Sequence, residues 1–236
     1  MSDLQDVLSR LSEIGKTRRE AQGVMCTGNE SLNFMLGGGL RRGEVTQIYG
    51  PSGSGKSGTI GQILGHIADQ SLGTCALIDA DHTAENAVAF YGPLSDLQKG
   101  VIIHEPATAE EAKVVAVALT DCTDVVVVDS LGAFHPEDHG DTCPGSLIIR
   151  LSAAAYLSGA IVIVTNQVRV DIRRGGRKTA YGGISVKMHS GTIISLESKP
   201  LRKKGVRRGI TVAAHREKFK GKGGHPFGFW DLEYIE

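Results

Sequence analysis

Eight consecutive residues narrow the choice of fold more than the rest of the chain: Gly50-Pro51-Ser52-Gly53-Ser54-Gly55-Lys56-Ser57. They match the pattern G-x-x-x-x-G-K-[ST] between an apolar run, Val45 to Tyr49, and a segment whose Ile60, Ile63, Leu64 and Ile67 recur at helical spacing. Strand, glycine-rich turn and helix in that order bring backbone N–H groups and the positive end of a helix together on phosphate oxygens. Gly50, Pro51, Ser52, Gly53, Ser54, Gly55, Lys56, Ser57 and Gly58 are therefore the candidate contacts to a nucleoside triphosphate, ATP. Lys56 would neutralise β- and γ-phosphate charge, and the Ser57 hydroxyl would hold Mg2+.

A metal bridging phosphates needs a second anchor, and Asp129, ending the run Val125 to Val128, stands where a Walker B carboxylate belongs. That run and Ile161 to Val164 are continuous rather than alternating, which fits a parallel sheet covered by helices on both faces. Further strands are expected at Cys75 to Asp79, Val101 to His104 and Ile161 to Asn166, and Thr108 with Glu111 makes a capping box for an intervening helix. After Gly183 the runs shorten to Thr192–Leu196 and Ile210–Ala214, with a turn-rich Lys199 to Arg208 between them, predicting an antiparallel C-terminal extension. At the other end Leu4, Val7, Leu8, Leu11 and Ile14 predict a short amphipathic N-terminal helix, and Ser31 to Leu36 predicts another that stops at Gly37-Gly38-Gly39. The fold class is α/β: a mostly parallel twisted sheet flanked by helices. Residues 1–25 form an N-terminal helix and linker that could dock on a protomer, and residues 26–236 form the core.

A chain of 236 residues with 41% hydrophobic content can bury one such core. No apolar run approaches the roughly 18 residues of a membrane helix, and the charged start is unlike a signal peptide, so the expected location is the cytoplasm. Cys26, Cys75, Cys122 and Cys143 are too scattered for a disulfide framework. His135, His139 and Cys143 have a spacing that could bind zinc, although a lone three-ligand loop more often binds none. Net charge is zero, yet Val168 to Lys222 holds 16 lysines and arginines against three acids, a net +13 balanced by −13 elsewhere. Such polarity is the footprint of polyanion binding, with a solvated basic hairpin as the plain alternative.

Taken in order along the chain, Cys26-Thr27-Gly28, Leu36-Gly37-Gly38-Gly39-Leu40, the phosphate loop, Ile78-Asp79-Ala80-Asp81-His82, Val128-Asp129-Ser130, Val164-Thr165-Asn166-Gln167-Val168-Arg169 and Gly182-Gly183 resemble the RecA-type recombinases, including the RadA, RadB and UvsX groups. The resemblance implies a RecA-like core. Asp81 stands where the family has a glutamate that polarises the attacking water, and a carboxylate one methylene shorter implies slow hydrolysis. Gln167 would sense the γ-phosphate, so Lys56, Asp81 and Gln167 are the catalytic candidates. Arg169, Arg173, Arg174, Arg177 and Lys178 would bind DNA from the family's second loop, and Leu131 to Pro144 is the first, here acidic. Arg216 or Lys218 would reach a neighbour's ATP in trans, or belong to a surface hairpin that only touches DNA phosphate. The implied partners are single-stranded DNA, homologous duplex, further copies in a head-to-tail filament or ring, and a second recombinase or single-strand-binding protein. Other readings are a mediator that binds ATP and DNA with little hydrolysis, and a P-loop kinase or a KaiC-like or other P-loop ATPase without DNA function.

Overall fold

The computed structural model describes residues 23–82, 100–134, 143–171 and 177–234. Two small antiparallel pairs stand apart from the main sheet: β1 (Val24–Met25) with β2 (Leu40–Arg41), bracketing helix α1 (Glu30–Met35), and β8 (Val168–Asp171) with β9 (Arg177–Ala180). The main sheet, among the described residues, comprises β3 (Val45–Tyr49), β4 (Cys75–Asp79), β5 (Val101–His104), β6 (Val125–Asp129), β7 (Ile161–Asn166), β10 (Thr192–Lys203), β11 (Val206–Phe219) and β12 (Phe227–Glu233). Their order is β12-β11-β10-β3-β7-β6-β4-β5. The six strands from β10 to β5 run parallel, and β11 and β12 extend the sheet antiparallel, as the sequence pattern predicts.

Both faces of the parallel half are covered, which explains the uninterrupted apolar runs. Helix α2 (Lys56–Asp69) sets Ile60, Ile63, Leu64 and Ile67 on one face, against a core containing Val125, Val127, Ile161 and Ile163. On the other face Leu147 and Leu151 of α4 (Pro144–Ser158) and Ala112 and Ala116 of α3 (Ala109–Leu119) share a core with Val126, Val128, Val162 and Val164. Alternate valines thus serve opposite cores. Thr108 caps α3 by accepting from Glu111 N at 3.1 Å, while the Glu111 carboxylate reaches one residue further back, to Ala107 N at 2.9 Å.

One expected element differs. Lys199 to Arg208 is the tip of a long hairpin, in which β10 continues to Lys203 and β11 resumes at Val206. Lys204 and Gly205 turn with φ of +51° and +83°, and a two-residue turn with positive φ at both positions matches the twist of paired strands. Charge and a glycine look like loop in sequence, but a hairpin exposed to water accepts both. The helix expected near Leu4 to Ile14 lies outside the described residues. Among those described, no helix is long and apolar enough to cross a membrane.

Candidate functional site

Strand β3 lies between β7 and β10, and α2 carries the chain from it across β7 and β6 to β4. From the adjacent β7 the chain goes the other way, to β10 on the far side of β3, and such a switch of direction opens a crevice at the carboxyl ends of the strands. Each strand end then delivers one candidate: β3 leads into Gly50–Ser57, β4 into Asp81, β6 ends in Asp129 and β7 precedes Gln167. Lys56, Ser57, Asp81, Asp129 and Gln167 line a single cleft of about 450 Å³.

The loop itself is held from below. A Cβ on Gly50 would stand 2.4 Å from Leu196 O, so only glycine lets the chain leave β3 this close to β10. Gly55 has φ +92°, and a Cβ there would meet Val212 and Leu232 side chains at 2.7 and 3.0 Å. The hydroxyl of Ser198 on β10 donates to Gly53 O at 2.8 Å, and the Ser54 hydroxyl is buried without a hydrogen-bond partner.

Lys56 Nζ donates to Gly50 O at 2.9 Å and Pro51 O at 3.0 Å. Burial holds its pKa below the usual lysine value, with the charges of Asp129 and Asp81 pulling the other way. Ser57 Oγ donates to Asp129 Oδ2 at 2.9 Å, and the Thr165 hydroxyl donates to Asp129 Oδ1. Burial raises the Asp129 pKa above the ordinary carboxylate range; those two hydrogen bonds oppose it, and the charges of Asp81 and Asp79 add to it. A buried carboxylate whose charge is under-compensated, set beside a hydroxyl, is the hard-oxygen pair that suits Mg2+ bound together with phosphates. The fit is good: Ser57 and Asp129 would hold the metal, and the loop amides and Lys56 the phosphates.

Three contributors escaped the sequence reading. Thr165 orients Asp129 from the next strand, Ser130 donates to Asp81 Oδ2 at 2.6 Å, and Tyr181 accepts Asn166 Nδ2 on its carbonyl at 2.7 Å while its hydroxyl donates to Phe134 O at 3.1 Å. Thr165 and Ser130 stand within the resembling stretches but carry no role there; pairing them with carboxylates requires the strand register.

The DNA-loop candidates are only partly in view. Arg169 stands exposed at the base of the β8–β9 hairpin, its guanidinium 3.9 Å from the centroid of the Tyr181 ring. Arg173 and Arg174 lie outside the described residues, and of Arg177 and Lys178 only the backbone, in β9, is described. His135 and His139 are likewise outside them, while Cys143 caps α4 by accepting Ser146 N. Arg216 and Lys218 both turn to carbonyls of their own chain. Arg216 donates to Met35 O and to Gly223 O at 3.1 Å, and Lys218 donates to Lys187, Met188 and Ser190 O at 2.7, 3.1 and 2.6 Å. The three Lys218 acceptors close the C-terminal end of α5 (Gly183–His189), a position that favours a cation.

Comparison with known proteins agrees with this geometry. A family model described as the RecA N-terminal domain matches residues 8–228. Protein RecA of Delftia acidovorans is 32% identical over 215 residues, covering 84% of this chain and 57% of its own length. Protein RecA of Bordetella pertussis is 32% identical over 200 residues, covering 77% and 56%, and that of Bordetella petrii 31% over 199 residues, covering 77% and 55%. The chain thus spans little more than half the length of these relatives.

Proposed function

The chain belongs to the RecA family, and on that premise we propose that it is an ATP-dependent recombinase core that binds single-stranded DNA, assembles head to tail, and pairs homologous strands while ATP is bound. The observation that carries this reading is the convergence of Lys56, Ser57, Asp81, Asp129 and Gln167 on one cleft, with the β8–β9 hairpin starting at its rim.

Each residue then has a task. The loop amides and Lys56 hold the β- and γ-phosphates, and Ser57 and Asp129 hold the metal. Magnesium, when bound, offsets phosphate charge during transfer to water. Asp81 faces the water and takes its proton; Gln167 reports the γ-phosphate to β8, where Arg169 meets DNA phosphate together with the arginines and lysine of the hairpin. Arg216 and Lys218 are the cations that a neighbour's nucleotide would recruit, and reaching it requires each to release the carbonyls it now holds.

The test is ATP hydrolysis with and without single-stranded DNA, for wild type, Asp81→Glu and Lys56→Ala. DNA-stimulated turnover that Lys56→Ala abolishes supports the motor. Binding of ATP and DNA without turnover, with turnover gained in Asp81→Glu, replaces it by a mediator. No DNA binding in any nucleotide state defeats both.

A further inference from the structure

We propose that Ser130 is a positioning residue for Asp81, tying its carboxylate to the turn Leu131–Ala133 and through that turn to Gln167. The proposal rests on the reading of Asp81 as the group that faces the attacking water.

Ser130 is 1% exposed, and its hydroxyl has one proton to give. That proton goes to Asp81 Oδ2 at 2.6 Å, while the same oxygen accepts Gly132 N at 3.2 Å. Gly132 leaves room for the sensor amide: a Cβ there would stand 2.9 Å from Gln167 Nε2. The backbone beneath Asp81 is drawn in as well, since Ala80 N and Asp81 N both donate to Asp129 O, at 2.7 and 3.3 Å. The sensor amide of Gln167, at the start of the β8–β9 hairpin, thus lies next to the space a Gly132 Cβ would take, and two hydrogen bonds connect Gly132 through Ser130 to the carboxylate.

The device suits an aspartate. A short side chain has little reach to spare, so the rotamer fixed by a single hydrogen bond decides whether its free oxygen points at the water, and misplacement of about an ångström costs on the order of a hundredfold. A shift of Gln167 displaces Gly132, loosens its bond to Ser130 and lets Asp81 turn. The hairpin that carries Arg169 thus sets the hydrolytic carboxylate through two hydrogen bonds and the close approach of Gln167 to Gly132.

Two measurements on the full chain test this. In steady-state kinetics, Ser130→Ala should lower kcat by roughly 10- to 100-fold with the KM for ATP within about twofold, Ser130→Thr should recover most of the loss, and Ser130→Ala should cost nothing more once Asp81→Asn is present. In hydrogen exchange without nucleotide, Asp81→Ala, which leaves Ser130 intact, should speed exchange at the Gly132 amide by about tenfold, because Ser130 is freed to rotate. Equal losses from Ser130→Ala in both backgrounds, or a Gly132 amide indifferent to Asp81→Ala, would overturn the proposal. If Asp81→Asn keeps wild-type turnover, the assignment of Asp81 itself fails. If the wild type shows no turnover, the exchange result alone decides.

Discussion

The parallel half of the sheet and its antiparallel extension are built from one continuous ladder, yet they constrain their side chains very differently. In the parallel half the inner strands β3, β4, β6 and β7 are covered on both faces, and the functional groups sit at strand ends whose direction the cores dictate. Asp129 and Asn166 point where they do because Val125 to Val128 and Ile161 to Val164 are fully buried beneath them. In the extension, β11 and β12 bury one face and leave the other open, with Phe227 and Phe229 half or more exposed. There a single irregularity redirects the chain. Ile194 pairs with Arg216 but Ile193 pairs with Lys218, so Glu217 is an extra residue, accepting a hydrogen bond from the Tyr49 hydroxyl at the end of β3. Without that bulge Arg216 and Lys218 would share a face; with it, Arg216 turns to α1 and Lys218 to α5.

The largest expected effect lies where the halves touch. Gly55→Ala puts a methyl group in a left-handed backbone and against Val212 and Leu232 of the extension. The loop should relax out of its phosphate-binding shape, and restoring it at about 3 kcal/mol weakens ATP binding by about 100-fold, measurable by titration calorimetry. Unchanged affinity would mean that the extension does not brace the loop. Next, Ile163→Ala in the doubly covered half should lower unfolding stability by about 2–5 kcal/mol. Phe229→Ala, at 63% exposure on the open face, should stay within about 0.5 kcal/mol in the same denaturant titration. A similar loss at both positions would erase the contrast.

The same contrast governs what could be read from sequence. The phosphate loop, Ser57 and Asp129 were legible because strand, turn and helix leave their residues one way to point, and the buried runs announced the strands. Asp81 was placed by its distance along a resembling stretch. The extension was legible as antiparallel but not in detail: no local pattern announces a bulge, so the faces of Arg216 and Lys218 could not be assigned, and the charged hairpin tip looked like loop. Thr165 and Ser130 needed register, since each meets a carboxylate 36 or 49 residues away.

Asp129 gives a smaller effect with an informative sign. Its folded pKa lies above the unfolded 3.8, so the fold gains from holding the proton and loses that gain as pH rises through the folded value. At neutral pH the buried charge is therefore a cost that magnesium would offset. Without metal or nucleotide, Asp129→Asn should raise Tm at pH 7 by a few degrees, corresponding to about 1 kcal/mol. At pH 4 the difference should shrink, and added Mg2+ and ATP should stabilise wild type more than the variant. A variant less stable than wild type at pH 7 would show that the bonds from Ser57 and Thr165 already balance the charge.

Lys218 should produce the smallest change, and one that bears on assembly. In the isolated chain it is a cap on α5, reaching three carbonyls, with burial and then the charges of Lys220 and Lys187 lowering its pKa. Lys218→Met keeps the stem and removes the cation, so it should cost about 0.3–1 kcal/mol in unfolding stability. ATP affinity of the dilute protein should stay within about twofold, because the ammonium is committed to its own helix end. If Lys218 also serves a neighbour's nucleotide, turnover of the variant should fall behind wild type only as protein concentration rises and copies stack, giving a concentration-dependent defect that a helix cap alone cannot produce. A defect of the same size at every concentration would tie Lys218 to the fold of its own chain and leave Arg216, on the opposite face, as the remaining cation for that role.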